Sequence, residues 1–350
     1  MVNTRHSGEA SESPTPVIVS VVIKTLNEER HIEKAICSAL EAVRIVGGEV
    51  ILADSGSSDA TVAIARRHPV TIVRLRDVEE RRCGIGPQLG YQVAGGRYVY
   101  ILDGDMELDP AFLPHALKAM DENPRLGGVA GMVEECSEAS YQFRGRQQRN
   151  AESVPGTVHA LEMGGLYRRE ALEEVGYFSN RNLHAYEELE LGLRLSAAGW
   201  EMHRLPVRGV RHRGRSEGSW SLLLGRWRSR YLDGAGELLR VSLGRPYFWR
   251  ALSSVRHLVV ALLIWAGFLA GIAMLLTTPV LLVLTLLAAG VLILIRYLRA
   301  RSVSDALFGQ VVWQVTAIAM IRGFFSGKVD PRGPIGYVRL DSDKGQEGGE

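Results

Sequence analysis

Short apolar runs alternate with longer amphipathic segments through the N-terminal part of the chain. The apolar runs, which predict buried strands, are 17–23, 50–53, 70–75 and 98–102. The amphipathic segments, which predict helices, are 28–42, 59–67, 87–94 and 110–122. A strand that is reached through a helical crossover runs parallel to its predecessor. The pattern therefore predicts an α/β fold with these strands parallel in one sheet.

A long apolar stretch lies towards the C-terminus, where no charged residue occurs from Leu258 to Ile295. As one helix it would extend about 57 Å, almost twice the roughly 30 Å of a bilayer's hydrocarbon core. Thr277, Thr278 and Pro279 at its midpoint predict a turn, so we expect a transmembrane helical hairpin over 257–297. Arginines flank the hairpin on both sides and the turn has no charge, which predicts a multi-pass protein of the cytoplasmic (inner) membrane with its preceding domain in the cytoplasm.

A third apolar segment, 306–325, has two interpretations. It contains Gln310, Gln314 and Arg322, and basic residues follow it. The segment could span the membrane and place the C-terminus outside, or it could lie along the interface. Its basic C-terminal flank favours the cytoplasmic side.

The remaining segments differ in composition. Residues 1–16 are polar and lack the apolar stretch of a secretory signal, so a disordered tail is expected there. Residues 218–256 mix tryptophan and tyrosine with many arginines, which predicts an interfacial amphipathic collar that contacts membrane lipids. A soluble domain is expected over 17–217, and a C-terminal tail over 329–350.

Composition excludes several classes of protein. The chain is 46% hydrophobic and 23% charged, as folded proteins are. Its 41 basic and 39 acidic residues give a net charge of +2, too balanced to predict a nucleic-acid partner. Cys37, Cys83 and Cys136 are far apart and have no C-x-x-C spacing, so neither zinc nor a disulfide framework is predicted. No oligomeric state is predicted.

Polar side chains cluster where three of the predicted strands end. They are Thr25, Asn27, Glu28, Asp54, Asp59, Asp103 and Asp105. In open α/β sheets ligands bind at this edge. Asp103 and Asp105 repel each other and lose solvation beside a buried strand, so we expect a positive partner there. Asn27 and Asp59 could instead be helix caps.

Six segments, in this order and spacing, resemble the family 2 glycosyltransferases with the GT-A fold. They are VSVVIKTLNEERHIEKAI, EVILADSGSSDAT, GGRYVYILDGDMEL, EMGGLYRREALEEVGYF, YEELELGLRLSAAGW and VRHRGRS. The resemblance covers roughly 17–216 and implies a Rossmann-like, mostly parallel sheet, followed here by C-terminal transmembrane helices.

The resemblance also implies binding roles for particular residues. Those implied to bind the nucleotide-sugar are Thr25, Asn27, Glu28, Asp54, Arg82, Gly164 and Gly165. Asp54 would contact the nucleobase, usually uracil, and the two glycines, which could also be an ordinary tight turn, would lie beside the sugar. Asp103, Asp105 and His212 would hold Mg²⁺ or Mn²⁺, which would then be the expected positive partner. His212 could otherwise be a surface histidine.

The catalytic base of the family is an acid at the start of a helix. Glu188 stands at that position, one methylene longer than the usual aspartate, and Glu187 is an undecided alternative. Glu190 lies four residues before Arg194, a favourable ion-pair spacing, and is expected to be structural. Lys24 stands where the family usually has proline.

These implications together predict an inverting, metal-dependent glycosyltransferase. It would move a sugar from a nucleotide-sugar, with UDP the expected nucleotide, to a lipid-linked or other membrane-associated glycan acceptor in cell-surface glycan synthesis. A processive polysaccharide synthase is less favoured, because Leu223 replaces the glutamine of the Q-x-x-R-W motif. A catalytically silent scaffold of a membrane glycosylation complex is the other alternative.

Overall fold

The computed structural model describes residues 17–136, 154–162, 164–213, 218–274, 279–299 and 303–340. The predicted tail 1–16 and the predicted turn residues Thr277 and Thr278 lie outside these ranges. The strands are β1 (Val19–Thr25), β2 (Gly48–Asp54), β3 (Thr71–Leu75), β4 (Tyr98–Asp103), β5 (Met106–Leu108), β6 (Leu126–Glu135), β7 (Gly156–Thr157), β8 (Gly165–Arg168), β9 (Glu201–His212) and β10 (Tyr337–Leu340).

Helices and short 3₁₀ turns connect the strands. In the N-terminal domain the helices are α1 (Ile32–Val46), α2 (Thr61–Ala65), α3 (Ile85–Tyr91), α4 (Phe112–Glu122), α5 (Arg169–Glu174) and α6 (Glu187–Ala197). Beyond it they are α7 (Ser219–Arg228), α8 (Gly234–Ser242), α9 (Phe248–Ala273), α10 (Pro279–Arg299) and α11 (Val303–Phe324). The 3₁₀ turns are Val78–Glu80 and Tyr231–Asp233.

One sheet contains the described strands, in the order β10-β3-β2-β1-β4-β8-β6-β9-β5, with β7 beside β9. The predicted parallel arrangement of β3, β2, β1 and β4 is confirmed. The sheet as a whole is mixed rather than mostly parallel, because β8 runs antiparallel to β4 and β6, and β5 runs antiparallel to β9. Strand β5 begins at Met106, directly after β4 ends at Asp103, so the crossover rule that predicted parallel pairing does not extend to it.

The register of the parallel strands aligns their polar ends. Thr25 is paired with Asp54, and Lys24 with Asp103. Helix α1 packs Ile32, Ile36 and Ala39 into the core on one side of the sheet, as predicted. It begins at Ile32 rather than at the predicted residue 28, so residues 26–31 form a loop at the edge where the strands end.

Helices α7 to α11 follow the N-terminal domain and begin in the collar segment. Two of them, α9 and α11, are long and apolar enough to cross a membrane, while the apolar part of α10 is the shorter Pro279–Ile295. Helix α9 begins at Phe248, within the segment 218–256 that was predicted to be the collar. Many large apolar side chains of α10 are solvent-exposed, including Leu287 at 61% and Leu298 at 73%.

The last described segment returns to the sheet. Strand β10 pairs antiparallel with β3, so the expected C-terminal tail contains an edge strand of the N-terminal domain. This pairing agrees with the favoured interpretation, in which the C-terminus stays on the same side as this domain. Helix α11 packs on α8, and its Arg322 forms an ion pair of 2.6 Å with the buried Asp233. Strand β10 is too short for its sequence pattern alone to predict it.

Candidate active site

A cavity of 450 Å³ lies where β1, β2 and β4 end. Predicted site residues that line it are Thr25, Asn27, Glu28, Arg82, Asp103 and Asp105. Lining residues that the sequence did not suggest include Lys24, Cys83, His184, Ser229 and Tyr231. The structure thus brings Asp103 and Asp105 together with residues from the loops that follow β1 and β2.

Gly104 allows the aspartate pair to approach the first loop closely. A Cβ atom at this position would lie 2.9 Å from Thr25 Oγ1 and 3.1 Å from Glu28 Cγ. The Thr25 hydroxyl is buried and has no hydrogen-bond partner among the described residues. A buried polar atom without a partner is costly, so this hydroxyl fits a ligand in the cavity that completes its bonding.

The loops after β1 and β2 are bonded to each other. Asn27 has a left-handed backbone (φ 55°), and its Oδ1 accepts a hydrogen bond of 2.8 Å from the Ser58 amide. Asn27 is therefore not the cap of α1, which begins five residues later. Asp59 accepts from the amide of Thr61, the first residue of α2, at 3.0 Å, which agrees with a role at the helix start.

Asp54 is fully buried beneath the turn that follows β2. Its carboxylate accepts hydrogen bonds from the amides of Gly56 and Ser57 at 3.0–3.1 Å, and Arg74 Nε lies 3.3 Å away. Arg81 holds the same turn from the other side by donating to the carbonyls of Ser55 and Gly56, each at 2.9 Å. Asp54 therefore shapes the turn, and Ser55, not Asp54, lines the cavity.

Lys24 is the positive partner of the first aspartate. Its Nζ lies 3.0 Å from Asp103 Oδ1 and 3.1 Å from Glu187 Oε1, and its side chain is 18% exposed. Burial lowers the pKa of Lys24, but the charges of Asp103 and the two glutamates raise it well above its usual value, so the ammonium stays charged. The lysine that replaces the usual proline therefore supplies one positive charge beside Asp103, and the metal predicted there stays a prediction.

Asp105 and His212 converge from adjacent strands. The β5–β9 register sets Met106 beside His212, and Asp105 Oδ2 lies 3.3 Å from His212 Nε2. Glu135 accepts from His212 Nδ1 at 2.8 Å. Burial lowers the pKa of His212, but hydrogen bonds to Asp105 and Glu135 raise it to about 9.

The three predicted metal ligands, Asp103, Asp105 and His212, differ in their surroundings. Among the residues that the structure describes, no group of three or more histidine, cysteine or acidic side chains converges on one point. Asp103 forms an ion pair with Lys24, whereas Asp105 Oδ2 and His212 Nε2 lie next to each other, 3.3 Å apart. Such a two-residue set fits Mg²⁺ or Mn²⁺, which in proteins commonly takes its other ligands from water and substrate phosphates.

The predicted base lies at the first turn of α6. The helix begins at Glu187, and Tyr186 before it has a left-handed backbone (φ 69°). Glu187 contacts Lys24, while Glu188 lies near Tyr167: burial raises the pKa of that hydroxyl, and the Glu188 charge raises it further. Glu190 is fully buried and pairs with Arg194 at 2.9 Å, so its predicted structural role is confirmed.

The two glycines predicted to lie beside the donor sugar do not line the cavity. Gly164 has φ +98°, and a Cβ atom there would lie 2.8 Å from the Tyr100 hydroxyl. Gly165 opens β8 and pairs with Ile101 of β4. Gly164 therefore allows the chain to approach β4, the strand that ends at Asp103, whereas a Cβ atom at Gly165 would lie 2.9 Å from Leu161.

The collar forms one wall of the cavity. His184 lines it and is held by Glu237 of α8, with 2.8 Å between His184 Nδ1 and Glu237 Oε1 and 2.9 Å from the His184 amide to Oε2. Glu237 is 1% exposed, as buried as Asp233 at 0%. Asp233 and Glu237 are the acidic residues of the arginine-rich segment 218–247. An acidic residue isolated among arginines was the sequence signal that could have identified them as buried partners.

Comparison with known proteins agrees with this geometry. Residues 20–176 match the family model for glycosyl transferase family 2. An uncharacterised glycosyltransferase of Mycobacterium tuberculosis (strain H37Rv) is 30% identical over 215 residues, which cover 58% of this chain and 91% of that protein. The chain belongs to glycosyltransferase family 2. The family match ends before α6 and His212.

Other relatives of this family 2 glycosyltransferase are more distant. The N-acetylglucosaminyl-diphospho-decaprenol L-rhamnosyltransferase of M. tuberculosis is 26% identical over 243 residues, covering 56% of this chain and 76% of that protein. Staphylococcus aureus TarS 1–349, solved with UDP-GlcNAc, has a TM-score of 0.47 at 16% identity, covering 69% of this chain and 76% of that one. M. tuberculosis glucosyl-3-phosphoglycerate synthase, solved with Mn²⁺, UDP and phosphoglyceric acid, has a TM-score of 0.45 at 20% identity, covering 62% and 77%.

Proposed function

We propose that this glycosyltransferase transfers a sugar, with inversion, from a UDP-sugar to a lipid-linked acceptor at the cytoplasmic face of a membrane, in cell-surface glycan synthesis. The observation that carries the proposal is the cavity at the strand ends, which has both aspartates of the D-G-D sequence on one wall and the membrane-proximal collar on another. The rhamnosyltransferase relative, whose name specifies a diphospho-decaprenol acceptor, supports a lipid-linked substrate.

The donor would bind along the edge formed by the loops after β1 and β2. The nucleobase of the donor would lie against the turn that Asp54 and Arg81 hold. The Thr25 hydroxyl, which has no hydrogen-bond partner among the described residues, would form a hydrogen bond with the donor. Asp105 and His212 would hold Mg²⁺ or Mn²⁺, which when bound neutralises the charge that develops on the departing diphosphate. Arg82, which also lines the cavity, adds a positive charge on the same side.

We propose Glu188 as the general base; it lines a small recess with Tyr167 rather than the donor cavity itself. In a single displacement, the acceptor oxygen forms a bond to the sugar's anomeric carbon while the bond to the diphosphate oxygen breaks, and the acceptor's proton passes to the base. Glu187 contacts the Lys24 ammonium at 3.1 Å, so its carboxylate is already engaged in an ion pair. Its proposed role is to hold Lys24 between α6 and Asp103.

The acceptor is proposed to approach from the collar side. Ser229 and Tyr231, between α7 and α8, line the same cavity as Asp103, and the apolar helices follow directly. Because β10 belongs to the same sheet as β1, any crossings between Phe248 and Tyr337 must be even in number. We propose that α9 and α10 span as a hairpin, because they pack against each other, and that α11, whose Arg322 pairs with Asp233 of the collar, lies along the interface.

A panel of nucleotide-sugars tests the function. Membranes containing the full chain would be incubated with Mn²⁺, a polyprenyl-diphosphate-sugar acceptor and each donor, and released nucleoside diphosphate and product length would be measured. We expect a UDP-sugar to be consumed with addition of one sugar, and much less consumption by Glu188→Gln. Long products would instead indicate a processive synthase.

One observation favours a silent scaffold as a second candidate. The Lys24–Asp103 ion pair occupies a carboxylate that the family resemblance assigns to metal binding. A scaffold would bind UDP without consuming any donor of the panel, whereas the proposed enzyme both binds and turns over its donor.

A further inference from the structure

Another cavity, of 520 Å³, lies where the N-terminal domain meets the collar. Its walls come from α5 and α6, the end of α8, the start of α9 and the segment 328–332. It shares no lining residue with the donor cavity, although the loop before α6 contributes His184 to one and Asn180 and Asn182 to the other. The proposed transfer reaction does not use this cavity.

The walls of this cavity are strongly basic. The cations that line it are Arg194, Arg240, Arg245, Lys328 and Arg332, and the acid is Glu174. Arg194 is neutralised by its contact with Glu190, and Glu174 accepts a hydrogen bond of 2.9 Å from Trp200. The other four cations therefore face one carboxylate, an excess that favours an anionic ligand.

Two of these arginines are held in place by the fold. Arg240 donates from Nη1 to the Gly327 carbonyl at 3.2 Å, while its buried Nε and Nη2 have no hydrogen-bond partner among the described residues. Arg332 packs on Gly176, where a Cβ atom would lie 2.9 Å from its Nε and where φ is +91°. A buried guanidinium whose donors lack acceptors is costly, and phosphate oxygens are well suited to satisfy it.

The cavity also lies beside the predicted membrane surface. Arg245 and Tyr247 on its wall immediately precede α9, whose first turn exposes 73% of Trp249. Aromatic side chains next to basic ones are typical of the headgroup region. Resting on the proposed membrane association, we propose that this cavity binds the phosphate group of an anionic phospholipid headgroup.

Short-chain lipids test the proposal on the full chain in neutral detergent. Calorimetric titration would compare dihexanoyl phosphatidylglycerol, dihexanoyl phosphatidylcholine and inorganic phosphate. We expect the phosphatidylglycerol to bind most tightly and Arg240→Gln/Arg332→Gln to weaken it at least tenfold, since each basic residue at an anionic surface contributes about 1 kcal/mol, or about fivefold. The matched control Arg250→Gln/Arg256→Gln removes two exposed charges of α9 outside the cavity and should change binding less than twofold.

Several results would overturn it. Equal binding of both lipids, an unchanged affinity in the cavity variant, or an equal loss in the control would each exclude a headgroup site in the cavity. Inorganic phosphate that bound as tightly as the lipid would indicate a free-phosphate site instead. Lys328→Gln, at an exposed position, replaces the double variant if thermal unfolding shows that the latter is misfolded. UDP binding in the same samples tests the proposed transfer function separately.

Discussion

At the residue scale, Lys24 changes how the aspartate pair is interpreted. The sequence predicted a positive partner for Asp103 and Asp105. Lys24 contacts Asp103, and His212 contacts Asp105 at the proposed site for a divalent cation. The parallel register of β1 and β4 puts residue 24 beside residue 103, so the contact was predictable once those strands were aligned. The burial of Asp54 was not predictable in this way, because it depends on the conformation of the turn that follows β2.

Replacing Lys24 by methionine should separate its structural role from its effect on metal binding. The free energy of unfolding should fall by about 1–3 kcal/mol, because Asp103 and Glu187 lose their shared counter-charge. Mn²⁺ affinity in the presence of UDP, measured by electron paramagnetic resonance, should rise, because Asp103 is released to join Asp105. Lys34→Met, at an exposed position of α1, is the control, and a lower Mn²⁺ affinity in Lys24→Met would contradict this account.

Glu188→Gln should reduce turnover by a factor of about 10² to 10⁴, the usual contribution of a general base. UDP binding should be unchanged, because the glutamine keeps the size of the side chain and the donor residues remain intact. Steady-state rates and UDP affinity would be measured for Glu188→Gln and Glu187→Gln together. If only the Glu187 variant lost activity, the base would be reassigned by one residue.

At the element scale, the structure shows which parts of the fold local pattern could predict. Strands β1 to β4 are mainly apolar runs separated by helices, and both their existence and their direction were predicted correctly. The mixed half of the sheet and β10 depend on pairings between residues distant in the chain, which no local periodicity encodes. The start of α1 was misplaced because Glu28 and Glu29 suit a helix, yet their amides bond to Thr61 and Asp59 of the neighbouring loop.

The contact between α8 and the loop before α6 should contribute measurably to stability. Glu237→Ala leaves the buried amide and ring nitrogen of His184 without their acceptor, which should cost about 1–3 kcal/mol for each unsatisfied group. Thermal or denaturant unfolding of the full chain in detergent measures the loss. Glu41→Ala, at an exposed position of α1, should be nearly neutral, and equal effects of the two changes would exclude this role for Glu237.

At the scale of the whole molecule, the sheet constrains membrane topology. Since β10 pairs with β3, Arg339 and the N-terminal domain lie on the same side of any membrane that the helices cross. Cysteines at Thr278 and Arg339, labelled with an impermeant reagent in oriented vesicles, should react from opposite sides, with Arg339→Cys accessible from the side of the domain. Labelling of both positions from one side would exclude the proposed hairpin.

The central claim is that the cavity at the strand ends binds a nucleoside diphosphate together with a divalent cation at Asp105. Equilibrium binding of UDP to the full chain, with and without Mn²⁺, tests this claim most directly. Three proteins would be compared: the native protein, Asp105→Asn and the control Asp109→Asn. In the native protein the Asp109 carboxylate pairs with Arg208. We expect Mn²⁺ to strengthen UDP binding in the native protein and in Asp109→Asn, but not in Asp105→Asn. The same Mn²⁺ dependence in all three proteins, or no UDP binding in any of them, would contradict the account.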